Sequence, residues 1–160
     1  MKRSSVIVAL TAALAFVGPF AQAAEKKKFC NETSCEAGDK LITYATKSDF
    51  YIACPTMELS EYANLVIGLI AFNAQMIGKM PDISPVTGEP AYQGETAAML
   101  QRARTKARVS SFDQAMSVCR KGVGKKVVTV MNGAKESDSI WVVGQDNKPF
   151  WMPKSHLKKM

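Results

Sequence analysis

Four cysteines, a single histidine, two tryptophans and a run of cations are the residues here whose chemistry goes beyond packing. Cys30, Cys35, Cys54 and Cys119 are even in number, as in a disulfide framework, and four cysteines allow three pairings. The favoured pairing is Cys30–Cys35 with Cys54–Cys119. The first bridge closes a small loop near a terminus, and the second ties the start of a helical region to its end. On the chain-entropy account the long loop contributes about 4 kcal/mol and the short one about 2. Thiol redox chemistry prefers the spacing C-x-x-C, whereas Cys30 and Cys35 are spaced C-x4-C. A metal site needs several ligands at close spacing, and His156 is the one histidine. No metal and no cofactor is expected.

Catalysis is not expected either. A general base needs a partner to orient it and a nucleophile within reach, and His156 has neither in any readable motif. No G-x-S-x-G is present, and oxidised cysteines offer no thiolate. Gly122-Val123-Gly124-Lys125 has the outline of a phosphate loop. Cys119 stands where that motif needs a glycine, and Lys126 where it needs Ser or Thr.

The cations cluster. Arg102, Arg104, Lys106, Arg108, Arg120, Lys121, Lys125 and Lys126 face one acid in the same stretch, Asp113. Such a patch attracts anionic surfaces such as phospholipid headgroups, cell-wall polymers or an acidic protein. The plainer account is a solvated helix face. The opposite anomaly lies upstream, where no charge occurs between Glu61 and Lys79. That stretch is too short and too polar, with Asn64, Gly68, Asn73 and Gln75, to span a membrane. It reads as a core helix, or as a helix with one stripe left for a partner or a second copy.

Around these residues the elements are legible. Leu41–Ala45 and Phe50–Ala53 read as two strands, or as one strand and an extended lead. Thr56 caps a helix that ends at Gly78 and Pro81. Met80–Gly94, rich in Pro and Gly, is a loop. A second helix runs from Glu95 to about Val109. Ser111 and Gln114 form a capping box for a third, from about Phe112 to Arg120, with Gly122 as its C-cap. Strands follow at Val127–Met131, Ile140–Val143 and Phe150–Met152, with turns at Asn132-Gly133 and Gln145–Lys148.

The first 23 residues have the layout of a secretory signal: Lys2 and Arg3, an apolar Val6–Val17, then Ala21-Gln22-Ala23. Cleavage near Ala23 lowers the formal net charge from +7 to +5 and leaves 24–160 as one exported domain, periplasmic or secreted. The 160 residues therefore exclude a multidomain enzyme, a cytoplasmic nucleic-acid binder and a disordered tail.

The C-terminal stretch Ile140-Trp141-Val142-Val143, a polar turn, Phe150-Trp151-Met152-Pro153 and Lys154-Ser155-His156-Leu157 resembles the closing part of a bacterial SH3-like barrel. Pro153 matches the family's proline, Leu157 its closing aliphatic residue after a 3₁₀ turn, and His156 falls where peptide-binding members carry tyrosine. The resemblance implies an α+β fold: a small SH3-like β-barrel, with strands in about 39–53 and 125–157. A helical insertion of two to three helices would fill about 56–121. The acidic motif that reads basic, proline-rich peptides is absent, so that activity is not carried over. By fold analogy Trp141, Trp151, Pro153 and His156 would line a ligand groove. The competing account places both tryptophans in the barrel core. The expected function is non-catalytic binding in the cell envelope, with another envelope or secretion-apparatus protein, or the cell wall, as partner. The membrane surface is a further contact, without spanning, and nucleic acid is not a partner. The alternative is an inhibitor or immunity-type protein that blocks an enzyme through a rigid loop at Met80–Gly94.

Overall fold

A computed structural model describes residues 28–132 and 136–160. The signal segment 1–23 and Gly133 of the expected turn lie outside the described residues. The described residues form seven strands and three α-helices, an α+β architecture. In order they are β1 (Lys40–Thr43), β2 (Ile52–Ala53), α1 (Met57–Ile77), α2 (Gly94–Lys106), α3 (Phe112–Val118) and β3 (Arg120–Lys121). Then follow β4 (Val127–Asn132), β5 (Ser139–Val143), β6 (Pro149–Pro153), a 3₁₀ turn (Lys154–His156) and β7 (Leu157–Lys159).

Five strands form one antiparallel sheet in the order β6-β5-β4-β1-β7. The sheet is open: among the described residues no pairing joins β6 to β7, so the expected closed barrel is not formed. Strand alternation sorts its faces. Leu41, Val128, Val130, Ile140, Val142, Met152 and Leu157 fill one core. The Cys30–Cys35 bridge is part of that core, and the Cys30 amide donates to the Leu157 carbonyl at 2.9 Å. A small disulfide loop thus seals the sheet where β7 begins.

The second core is helical. α1 begins as its sequence requires, with Thr56 Oγ1 accepting from the Leu59 amide and Glu58 in the first turn. Gly78 ends it at φ 71°, a left-handed conformation that glycine adopts without strain. The N-terminal half of α1 buries Leu59, Tyr62, Ala63 and Val66 against α2, α3 and β2. Ser60 reaches the sheet itself, where Ser139 Oγ meets its hydroxyl at 3.0 Å. Asn64, the polar residue inside the apolar pattern, accepts from the Ile52 amide (2.7 Å) and donates to the Ile52 and Ser60 carbonyls (2.8 Å each). It holds β2, which has only two residues, against the helix. Asn64→Ala leaves the Ile52 amide and carbonyl without this partner; an expected loss of about 2 kcal/mol would appear as a lower urea midpoint.

Helix ends differ from expectation in three places. α2 stops at Lys106, because Arg108 turns left-handed at φ 56°. Ser111 does cap α3, but Gln114 Oε1 accepts from the Ser110 amide rather than that of Ser111. Finally, α3 ends at Val118 and Gly122 is not its cap. Cys119 is drawn extended by its bridge to Cys54, and Arg120–Lys121 then pair with Ile52–Ala53 as a two-stranded ribbon. Gly122 lies flat on Tyr51: a Cβ there would stand 2.2 Å from the ring carbons. Gly122→Ala must push that buried ring away, and an expected cost of about 2 kcal/mol would show as a fall in thermal midpoint.

Candidate functional site

The tryptophans are not core. Trp141 and Trp151 are cross-strand neighbours on the face opposite Ile140, Val142 and Met152, half-buried. Their rings stack with centroids 6.3 Å apart at 15°. Pro153, paired with Ser139, shares that face. His156 is elsewhere. Its Nε2 lies 3.1 Å from Asp49 Oδ1, and its ring centroid is 5.5 Å from that of Tyr51. The four residues expected in one groove therefore divide into a Trp–Trp–Pro strip and a His–Asp–Tyr contact.

The cations divide as well. Arg104 is committed to buried Glu89. Arg108 and Lys125 occupy left-handed backbone at φ 56° and 62°. Arg102 and Lys106 line a cleft of about 480 Å³ between α1, α2 and the sheet, facing Glu58, Glu61, Glu136 and Asp138. The carboxylates outnumber the cations there. Pro153 reaches this cleft, but neither tryptophan lines it. Arg120, Lys121 and Lys126 line a different cleft of about 400 Å³, between the β2–β3 ribbon and the sheet. A single basic patch on the helical segment is not what forms.

Two features had a weaker signal in the sequence. The first is the loop after α1, which is a built hairpin. Ile83 bridges Pro90, the Ser84 amide donates to the Glu89 carbonyl, and Ser84 Oγ accepts from the Val86 and Thr87 amides. Its base is anchored through Glu89, only 6% exposed, which accepts from Tyr62 Oη (2.8 Å) and Arg104. Burial, with that hydrogen bond and the Glu89 charge, pushes the Tyr62 phenol far above its usual range, so it remains a neutral donor. At the apex Val86 is 82% exposed. Seven prolines and ten glycines in the chain, several in this loop, said only "turn"; an acid beside two of them was the available clue.

The second is the far end of α1. Beyond Ile70 the helix leaves the core, and Phe72, Met76 and Ile77 are exposed, as are Met80, Ile83 and Val86 in the loop that follows. The core reading of α1 holds for its first half, and the unpartnered stripe for its second.

Two disulfides, Cys30–Cys35 and Cys54–Cys119, point to an oxidising extracellular or periplasmic compartment. Among the described residues no helix is long and apolar enough to cross a membrane. Comparison of the chain with protein-family models, curated proteins and solved structures finds no match.

Proposed function

We infer that the chain is a non-catalytic exported binding module of the bacterial cell envelope, released by cleavage near Ala23 into the periplasm or medium. Its framework reads as an SH3-like barrel left open. In support are the strand order β6-β5-β4-β1-β7, the helical segment between β1 and β4, and the 3₁₀ turn Lys154–His156 leading into buried Leu157. The partner is another envelope or secretion-apparatus protein.

The observation that carries this reading is the exposed apolar end of α1, where Phe72 and Met76 lie one turn apart on one face, followed by Ile77 and Met80. Contiguous exposed apolar surface marks interaction sites in soluble proteins. A lipid surface would call for a basic rim, and the charges flanking this tip are one lysine, Lys79, and one acid, Asp82. Because these side chains already face water, Phe72→Asp with Met76→Asp is expected to change folding stability by less than about 1 kcal/mol. The same pair should abolish capture of a protein partner from envelope extract. Unchanged capture would dismiss the tip, and retention on isolated peptidoglycan would replace the protein partner with the wall.

The inhibitor reading has its own support in the hairpin 83–90. A rigid loop loses little entropy on entering an enzyme cleft, and its apex residues Pro85 and Val86 are exposed. Val86→Asp would then abolish inhibition of the target enzyme while leaving a complex formed through Phe72 and Met76 intact.

A further inference from the structure

The cleft between the ribbon and the sheet has a chemistry that the apolar tip does not use. We propose that it binds a phosphate monoester group, with Arg120, Lys121 and Lys126 supplying the charge.

Three cations and one carboxylate, Asp146, line the cleft, a formal balance of +2. Asp146 is already engaged, since its Oδ1 accepts from the Lys148 amide at 3.2 Å in the β5–β6 turn. Among the described residues no carboxylate stands within ion-pair distance of Arg120, Lys121 or Lys126. Arg120 lies over Phe150, a wall of the cleft, at 5.2 Å from the centroid. Lys121, the next strand residue, points the other way, with Nζ over Phe50 at 4.0 Å, and adds its charge from the rim. A guanidinium stacked on a ring keeps its N–H edge free for two parallel bonds to an oxyanion. The third, Lys126, follows a backbone fixed by Thr43: the Lys126 amide donates to Thr43 Oγ1 at 3.0 Å, and Thr43 Oγ1 donates to the Val123 carbonyl at 2.7 Å.

The charge selects among anions. A carboxylate brings one negative charge, whereas a phosphate monoester brings roughly 1.5 to 2 near neutral pH, which matches the cleft. The size selects further. About 400 Å³ exceeds what a bare phosphate fills, and Phe150 and Val128 give the remainder an apolar wall for the organic part of the ester. The group could come from a soluble ester or from a phosphatidic-acid headgroup at a membrane surface; the recognition chemistry is the same.

The test titrates the purified protein, both disulfides intact, with phenyl phosphate, with benzoate at matched ionic strength, and with phosphatidic-acid vesicles. Amide NMR shifts at Thr43, Gly122 and Gly144 report the site. Phenyl phosphate is expected to shift these amides and to bind more tightly than benzoate. Arg120→Ala with Lys126→Ala should weaken it by roughly tenfold or more. Arg102→Ala with Lys106→Ala removes the same charge from the other cleft and should leave binding within about twofold. Binding to vesicles alone, lost in the Arg120/Lys126 variant, would support the site with lipid as the source. The proposal fails if benzoate binds as well as phenyl phosphate, if both double variants weaken binding equally, or if neither soluble ester nor vesicle binds. None of these outcomes bears on the apolar tip, whose variants are separate.

Discussion

Replacing Cys54 and Cys119 together by alanine is expected to cost the fold about 4 kcal/mol, on the chain-entropy account of a 65-residue closed loop. The sequence separation is only part of the reason. Cys54 is 1% exposed, and its backbone exchanges two hydrogen bonds with Trp151, at 3.0 and 2.8 Å. The bridge therefore clamps α3 and β3 to the strand that touches β6, joining helical core and sheet. Without it, the Arg120–Lys121 backbone keeps its short pairing with Ile52–Ala53, extended by the Gly122 amide to the Tyr51 carbonyl at 2.7 Å. Urea unfolding followed by far-UV circular dichroism measures the loss, and a lower midpoint with an unchanged slope identifies it as stability. The Cys30–Cys35 loop spans 5 residues, and its removal by the same substitutions should cost about 2 kcal/mol. Equal losses from the two pairs would show that the long bridge does not act as the clamp described.

The second large effect is expected at Glu89. Glu89→Ala leaves the Arg104 guanidinium, partly buried, without its carboxylate and Tyr62 Oη, inside the core, without its acceptor. Removing one partner of a buried ion pair is far more damaging than replacing both, so a loss of about 3 kcal/mol is expected. Tyr62→Phe removes a single hydrogen bond and should cost about 1 kcal/mol. Because the three groups act together, Glu89→Ala with Arg104→Ala should cost less than the two single changes added. Amide exchange localises the change: the Gly88 and Ala91 amides, which donate to the Ser84 and Asp82 carbonyls at 2.8 Å, should lose protection first. If exchange accelerates evenly along the chain instead, the hairpin is not held by this contact.

How far the sequence foretells this structure depends on whether a residue's signal is local. Thr56, Glu58 and Gly78 mark α1 correctly because caps are read from a few neighbouring residues. The strands at 127–132, 139–143 and 149–153 follow from β-branched and aromatic runs for the same reason. Apart from the disulfides, whose pairing the cysteine positions suggested, most non-local causes were not legible. Arg120–Lys121 is a strand only because a disulfide brings it beside Ile52–Ala53, and nothing in two cations foretells that. Leu157–Lys159 becomes β7 by pairing with β1, far away in sequence. The eight cations looked like one patch because they are close along the chain. A helix turn, an ion pair with Glu89 and the ribbon send them to different surfaces. The tryptophans sit among residues that all suit strands, so alternation could not assign their face until register fixed it. Asn64 also carried a readable clue, an amide inside an apolar helix, which implies a buried partner.

The binding role rests on the apolar tip, and site-specific photo-crosslinking in envelope extract tests it most directly. A photoreactive side chain at Met76 or Met80 is expected to trap the same protein species. A control at Lys47, in the β1–β2 connection, should not. Trapping should vanish when Phe72→Asp is added to the Met80 probe. Adducts equally abundant from Lys47, or none from Met76 and Met80, would contradict a partner docked on this end of α1.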